Sequence, residues 1–102
     1  MVTIDKKIDD MTNEDMLNIF KIFSKSYNVG GLSSDLTYFE NGALFDLKEK
    51  GNLDYTIQFM DYQLFVEAKD NSLKIWCRPF ANLSLPASTR IFENKLIEYF
   101  SK

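Results

Sequence analysis

The hydrophobic positions near the N-terminus recur with the period of a helix. Large apolar side chains appear at the three-to-four-residue spacing of one helix face: Met16, Phe20, Phe23 and Tyr27. Thr12 is the predicted N-cap, with Asp15 three residues later as its partner in a capping box. The pattern predicts a helix over about 13–27, ended by Gly30-Gly31, because glycine enters the left-handed cap conformation at little cost.

In the middle of the chain the apolar positions alternate, which is the pattern of half-buried strands. Turn signals, of which Asn41-Gly42 is the strongest, separate five short segments rich in β-branched, aromatic or leucine residues. The other turn signals are Lys50-Gly51-Asn52, Asp61-Tyr62 and Asp70-Asn71. The segments are 36–40, 43–48, 53–60, 63–69 and 72–78. Since such short connections allow only antiparallel neighbours, we predict a meander of four or five strands, depending on whether 36–40 is one.

Alternation also assigns the strand side chains to two faces of the sheet. The predicted core face carries Phe45, Leu47, Tyr55, Ile57, Phe59, Leu64, Val66, Leu73, Ile75 and Cys77. The opposite face is mixed, and carries Leu44, Asp46, Thr56, Gln58, Phe65, Glu67, Lys69, Lys74, Trp76 and Arg78.

The helical period returns at the C-terminal end of the chain. Pro86 belongs in the first turn of a helix, with Ser84 as its cap. One apolar stripe follows, made by Leu85, Phe92, Leu96, Tyr99 and Phe100. The predicted fold is therefore α+β: a four- to five-stranded antiparallel meander sheet flanked by an N-terminal and a C-terminal helix packed on one face. We expect a single domain over 1–102, with residues 1–10 as a polar N-terminal arm.

Length, composition and charge bound the class of protein. The chain has 102 residues, 45% of them apolar, which suits one domain with its own hydrophobic core. The net charge of −3 resides within residues 1–20, so that acidity is concentrated around the start of the first helix. This balance disfavours a nucleic-acid partner. No apolar run approaches the roughly 20 residues of a membrane span, and charges stand where a signal peptide would be apolar. We therefore expect a cytoplasmic protein.

Candidate chemistry is sparse. The chain has no histidine, which removes the most common general base and most zinc sites. The single cysteine, Cys77, is predicted to be a buried structural residue. The segment Gly30-Gly31-Leu32-Ser33-Ser34 lacks the Lys-Ser/Thr of a phosphate-binding P-loop. The N-terminal acids do not have the spacing of an EF-hand loop. We expect no catalytic site, no metal and no cofactor.

The mixed sheet face is the predicted partner-binding surface. Trp76 and Phe65 stand there beside Arg78, Lys74, Lys69 and Glu67, and Tyr62 at the neighbouring turn is predicted to add a third ring. Trp, Tyr and Arg most often carry binding energy at protein interfaces. The alternative is structural: these rings pack on each other, or a helix covers them. A second candidate surface is the acidic group Asp9, Asp10, Glu14 and Asp15, which would meet a basic partner.

Three function classes fit this description. The favoured one is a small non-catalytic protein that binds and neutralises another macromolecule, such as a toxin-immunity protein, an antitoxin or a phage anti-defence inhibitor. Small size, acidity and the lack of a recognisable active site favour it. The second is a homodimeric acidic adaptor or secretion chaperone. The third is a sheet that stacks RNA bases on Trp76 and Phe65, against which the acidic balance counts.

Overall fold

The computed structural model describes residues 1–29, 33–57, 62–79 and 86–101, which form an α+β fold. In chain order the elements are strand β1 (Val2–Ile4), a 3₁₀ turn (Ile8–Asp10), helices α1 (Asn13–Ser26), α2 (Ser33–Asn41) and α3 (Ala43–Lys50), strands β2 (Asn52–Thr56), β3 (Tyr62–Ala68) and β4 (Leu73–Pro79), and helix α4 (Pro86–Phe100). The described strands form one antiparallel sheet in the order β1-β4-β3-β2. The predicted fold class, with helices flanking an antiparallel sheet, is confirmed.

Helix α1 begins as its sequence predicts. The Thr12 hydroxyl accepts a hydrogen bond from the Asp15 N–H at 3.1 Å, and the Asp15 carboxylate accepts one from the Thr12 N–H at 3.0 Å. This reciprocal pair is the predicted capping box. The helix ends at Ser26, and Asn28 then adopts a left-handed conformation (φ 53°), which asparagine tolerates better than most residues. The predicted terminator Gly30-Gly31 lies outside the described residues.

The predicted strands at 36–40 and 43–48 are wrong, because this part of the chain forms helices α2 and α3. Phe39, Ala43 and Leu47 are all fully buried, and their spacing of four is that of a helix face. The predicted face assignment fails for Phe45, which is 68% exposed, and for Leu44, which is buried, whereas Leu47 is buried as predicted. Asn41-Gly42 is therefore a helix–helix junction and not a hairpin turn. A Cβ at Gly42 would lie 3.2 Å from the Tyr38 ring, so the glycine permits close packing.

The N-terminal residues are not entirely a polar arm. Val2–Ile4 forms strand β1, in which Val2 pairs with Ile75 and Ile4 pairs with Leu73 on β4. Val2 and Ile4 are buried while Thr3 between them is exposed, so the strand follows the alternating rule. Three residues are too few for that alternation to stand out in the sequence.

The meander β2–β3–β4 is confirmed by its register. The turn at Asp70-Asn71 is closed by a hydrogen bond of 2.9 Å from the Lys69 N–H to the Ser72 carbonyl. At the predicted turn Lys50-Gly51-Asn52, Gly51 ends α3 in the left-handed conformation (φ 79°). Of the predicted turn Asp61-Tyr62, Asp61 lies outside the described residues, as do Gln58 and Phe59, whereas Tyr62 begins β3.

The core lies between the helices and one face of the sheet. Phe20 and Phe23 of α1, together with Phe92 and Leu96 of α4, are fully buried or nearly so. They belong to one cluster with the inward-facing strand residues, which include Leu64, Val66, Leu73 and Ile75. The buried residues of α2 and α3 belong to the same cluster, so the four described helices cover the same face of the sheet. Pro86 occupies the predicted first turn of α4, while Ser84 and Leu85 lie outside the described residues.

No helix in the described part of the chain is both long enough and apolar enough to cross a bilayer.

Candidate functional site: the open sheet face

We call the face of the sheet that points away from the helices the open face. Its central residues come from β3 and β4 and lie directly opposite one another across the two strands: Gln63 and Arg78, Phe65 and Trp76, Glu67 and Lys74. Asp54 of β2 lies next to Phe65, and Thr3 of β1 lies next to Lys74. All of these side chains are exposed or half-buried. The predicted alternation therefore assigned Phe65, Glu67, Lys74, Trp76 and Arg78 to the correct face.

Two stacked rings occupy the centre of the open face. The Phe65 and Trp76 rings are nearly parallel, with an interplanar angle of 9° and a centroid separation of 5.1 Å. The guanidinium carbon of Arg78 lies 5.3 Å from the Phe65 centroid, which is cation–π distance. Cross-strand aromatic pairs of this kind contribute about 0.2–1 kcal/mol to a sheet. Because the rings hold each other in place, a partner that contacts them would not have to order them first.

A polar ladder crosses three strands next to the rings. Arg78 donates through Nη2 to the Gln63 side-chain oxygen at 3.0 Å, and the Gln63 amide donates to Asp54 Oδ1 at 3.0 Å. Among the described residues, Arg78 forms no ion pair with a carboxylate. Sequence reasoning missed Gln63 and Asp54, although Gln63 stands two residues before Phe65 and so shares its face. The ladder holds the exposed Arg78 guanidinium beside the rings.

Charged side chains lie on the side of the ring pair that is opposite the polar ladder. Lys69 Nζ is 2.9 Å from Glu67 Oε1, and Lys74 faces Glu67 across the strands. The hydrogen bond from Lys69, followed by the positive charge of Lys69, lowers the pKa of Glu67, and Lys74 adds a smaller effect of the same sign. The Glu67 carboxylate is therefore ionised at neutral pH, and the open face carries both signs of charge.

Tyr62 does not contribute a third ring to this face, and that prediction is wrong. The side chain is 9% exposed, and its ring centroid lies 5.3 Å from that of Tyr27 and 6.3 Å from that of Phe23. Residue 62 lies within β3 and shares the parity of the inward-facing Leu64. The sequence assigned Tyr62 to a turn, so the alternation was not applied to it.

The acidic candidates divide into two kinds. Asp9, Asp10 and Glu14 are exposed, the first two on the 3₁₀ turn and the third in the first turn of α1. Asp15 is half-buried, because it completes the capping box and accepts a hydrogen bond of 2.8 Å from the Tyr99 hydroxyl of α4. Burial first, and this bond second, raise the pKa of Tyr99 to about 12. Asp15 thus joins α1 to α4, and the three other acids are available to a partner.

The side chain of Cys77 packs against the core, as the sequence predicts, although it is half-buried and not fully buried. Burial raises the pKa of its thiol to about 12 from an ordinary value of 9.0, and a hydrogen bond with Tyr27 lowers it by less. Thiolate is the nucleophilic form of cysteine, so at neutral pH this side chain is a poor nucleophile.

The raised pKa of Cys77 predicts how stability depends on alkaline pH. Because the folded protein holds this proton more tightly than the unfolded chain, the free energy of unfolding should fall as the pH rises from about 9 to about 12. Tyr27, whose pKa burial raises to about 12, acts in the same direction. Urea denaturation of the wild type and of Cys77→Ala across this range tests it. The variant should lose less stability with pH, and parallel curves for the two proteins would contradict the prediction.

In the described ranges, no three Cys, Asp or Glu side chains form a group that could hold a metal ion. No protein-family model, curated protein or solved structure matches the chain. A function is therefore inferred from the geometry of the open face.

Proposed function

We propose that this is a small non-catalytic binding protein that docks its open face on another protein and neutralises it, in the manner of toxin-immunity proteins, antitoxins and phage anti-defence inhibitors. One observation carries the proposal: Phe65 and Trp76 form a stacked pair beside Arg78 on the side of the sheet opposite the described helices. Aromatic residues and arginine are enriched at protein interfaces and supply most of their hot spots.

The same geometry favours a protein partner over RNA. Sheets that bind single-stranded RNA stack bases on free aromatic faces. Here the Phe65 ring is stacked on Trp76 and lies at cation–π distance from the Arg78 guanidinium, so a base would have to compete with these contacts. The carboxylates of Asp54 and Glu67 on the same face would repel a phosphate backbone.

The charge distribution supports a partner with a basic surface. Asp9, Asp10 and Glu14 are exposed near the N-terminal end of α1, and they carry most of the excess negative charge of the chain. Next to them, Ile8 and Lys69 line a common cleft of about 430 Å³, so this acidic end is near the end of β3. Complementary charge speeds encounter and selects among partners, whereas buried rings supply most of the affinity.

Trp76→Ala is the direct test of the proposal. Loss of this ring is expected to weaken partner binding by roughly thirtyfold or more, which corresponds to the loss of about 2 kcal/mol or more at an interface hot spot. The partner is isolated by affinity capture from cells that encode this protein and is then titrated in purified form. Trp76 is the chain's single tryptophan, so its fluorescence reports occupancy of the open face in the wild type. Calorimetry compares wild type and variants.

Phe45→Ala is the matched control for this test, because Phe45 is a 68% exposed ring on α3, away from the open face. It should bind as the wild type does. Co-expression of the captured protein with wild type, but not with Trp76→Ala, should suppress the activity of that protein. A captured protein that binds Trp76→Ala and the wild type equally well would refute the assignment of the interface.

A further inference from the structure

The open face is self-complementary in its arrangement of charge and aromatic residues. Strand β3 contributes Gln63, Phe65 and Glu67, and β4 contributes Arg78, Trp76 and Lys74, in matching order. The two outer rows each join a neutral or acidic side chain on β3 to a basic one on β4, and the middle row has an aromatic ring on each strand.

A two-fold axis that runs parallel to the strands, between β3 and β4 and above the face, brings matching groups together. It places β3 of one copy over β4 of the other, so that Glu67 faces Lys74 and Phe65 faces Trp76, and each contact occurs twice. Two sheets packed with aligned strands are a common arrangement. An axis perpendicular to the strands would instead place Lys74 over Arg78 of the other copy, two like charges.

We propose that a second copy of this chain covers the open face when the partner is absent, so that partner binding competes with self-association. The inference rests on the proposed function, since it names what regulates the same face. The second copy would shield the Phe65–Trp76 pair from non-specific contacts until the partner displaces that copy.

The size of the face sets the strength of this association. Strands of seven residues span about 24 Å, and a sheet of four strands is about 19 Å wide, which gives a projected area of at most about 450 Å² per copy. Two copies together therefore bury at most about 900 Å², because β1 and β2 are shorter than seven residues, and this is in the range of weak, transient interfaces. The dimer should therefore be concentration-dependent and readily displaced.

Two opposite charge reversals test the proposed geometry. Glu67→Lys places like positive charges opposite each other at both symmetry-related contacts, and Lys74→Glu places like negative charges there. Each variant alone should run at the mass of one chain in light scattering, at concentrations where the wild type reaches the mass of two. In an equimolar mixture both contacts become attractive, so the mixture should recover the mass of two chains.

The mixing experiment distinguishes loss of this interface from an effect of the substitutions on folding. Glu67 and Lys74 are also neighbours within one sheet, and mixing two variants cannot repair a contact within a chain. Circular dichroism should show that both variants are folded. A wild type at one-chain mass at every concentration, or a mixture that stays at one-chain mass, would overturn the inference. That result would leave the proposed function intact, because the latter depends on loss of partner binding in Trp76→Ala.

Discussion

Phe23→Ala is expected to lower the free energy of unfolding by about 3–5 kcal/mol, the usual cost of truncating a fully buried phenylalanine. The Phe23 side chain has no exposed surface. Its ring centroid lies 5.9 Å from that of Phe92 on α4, 6.3 Å from that of Tyr62 on β3 and 5.4 Å from that of Tyr27. The substitution therefore opens a cavity where α1, α4 and the sheet meet. Since domains of this size are stable by only about 5–15 kcal/mol, the loss should be large.

Urea denaturation followed by circular dichroism measures this effect. Phe45→Ala removes the same side chain from a 68% exposed position and should change the free energy of unfolding by about 0.5 kcal/mol or less. Phe23→Leu, which fills part of the cavity, should fall between the two. Equal losses for Phe23→Ala and Phe45→Ala would contradict the packing described for the core.

Local sequence signals predicted the first helix and the last three strands because their physical causes are local. The capping box at Thr12 and Asp15 involves residues three positions apart, and it appears in the structure as predicted. The strands β2, β3 and β4 are separated by only a few residues along the chain, so their order and antiparallel pairing follow from the sequence itself. Strand β1 pairs with β4 from the far end of the sequence, and no local signal reports that pairing.

The segment 36–48 shows where local signals fail. Its apolar residues fit both the period of a strand and that of a helix, so the alternation alone does not decide between them. Contacts distant in sequence decide instead. The Phe39 ring stacks on Phe20 of α1 with centroids 4.7 Å apart, and it meets Tyr55 of β2 edge-on at 4.9 Å. Phe39 makes both contacts as a buried residue of helix α2, which packs on the same core.

The sequence predicts which face of the sheet carries the candidate site, but it does not predict how the side chains of the site are arranged. Alternation assigns Phe65 and Trp76 to one side of the sheet from their own segments alone. Their stacking, and the ladder from Arg78 to Asp54, depend on which residues of neighbouring strands are opposite each other. That register is set by the turns together with the buried face, and a shift of one residue would remove both features.

A buried carboxylate near the start of α2 was not foreseen in the sequence. Asp35 is 1% exposed, lies in the first turn of the helix and accepts a hydrogen bond from the Tyr55 hydroxyl of β2. The Tyr55 ring stacks on Tyr38, with centroids 5.1 Å apart and an angle of 11°. Tyr38 in turn donates a hydrogen bond of 2.6 Å to Asp46 of α3. This polar group therefore joins two helices to the edge strand of the sheet.

Asp35→Ala is expected to cost about 2–4 kcal/mol, because it leaves the Tyr55 hydroxyl without its acceptor and opens space in a buried site. It also removes an acid from the positive end of the helix dipole. Tyr55→Phe removes only the donor and should cost about 1.5–3 kcal/mol, the value of a hydrogen bond to a charged group.

The double variant decides whether the two residues act through each other. If the hydrogen bond is the main contribution, the combined loss should fall short of the sum of the single losses by about 0.5–3 kcal/mol. Asp46→Ala is the matched control, since it removes the acceptor of a similar tyrosine bond at a half-buried site and should cost about 1 kcal/mol or less. All four variants are compared by urea denaturation at neutral pH. Additive losses would show that Asp35 and Tyr55 do not act through each other. An Asp35→Ala loss no larger than that of Asp46→Ala would show that the buried carboxylate does not stabilise the junction of α2 with the sheet.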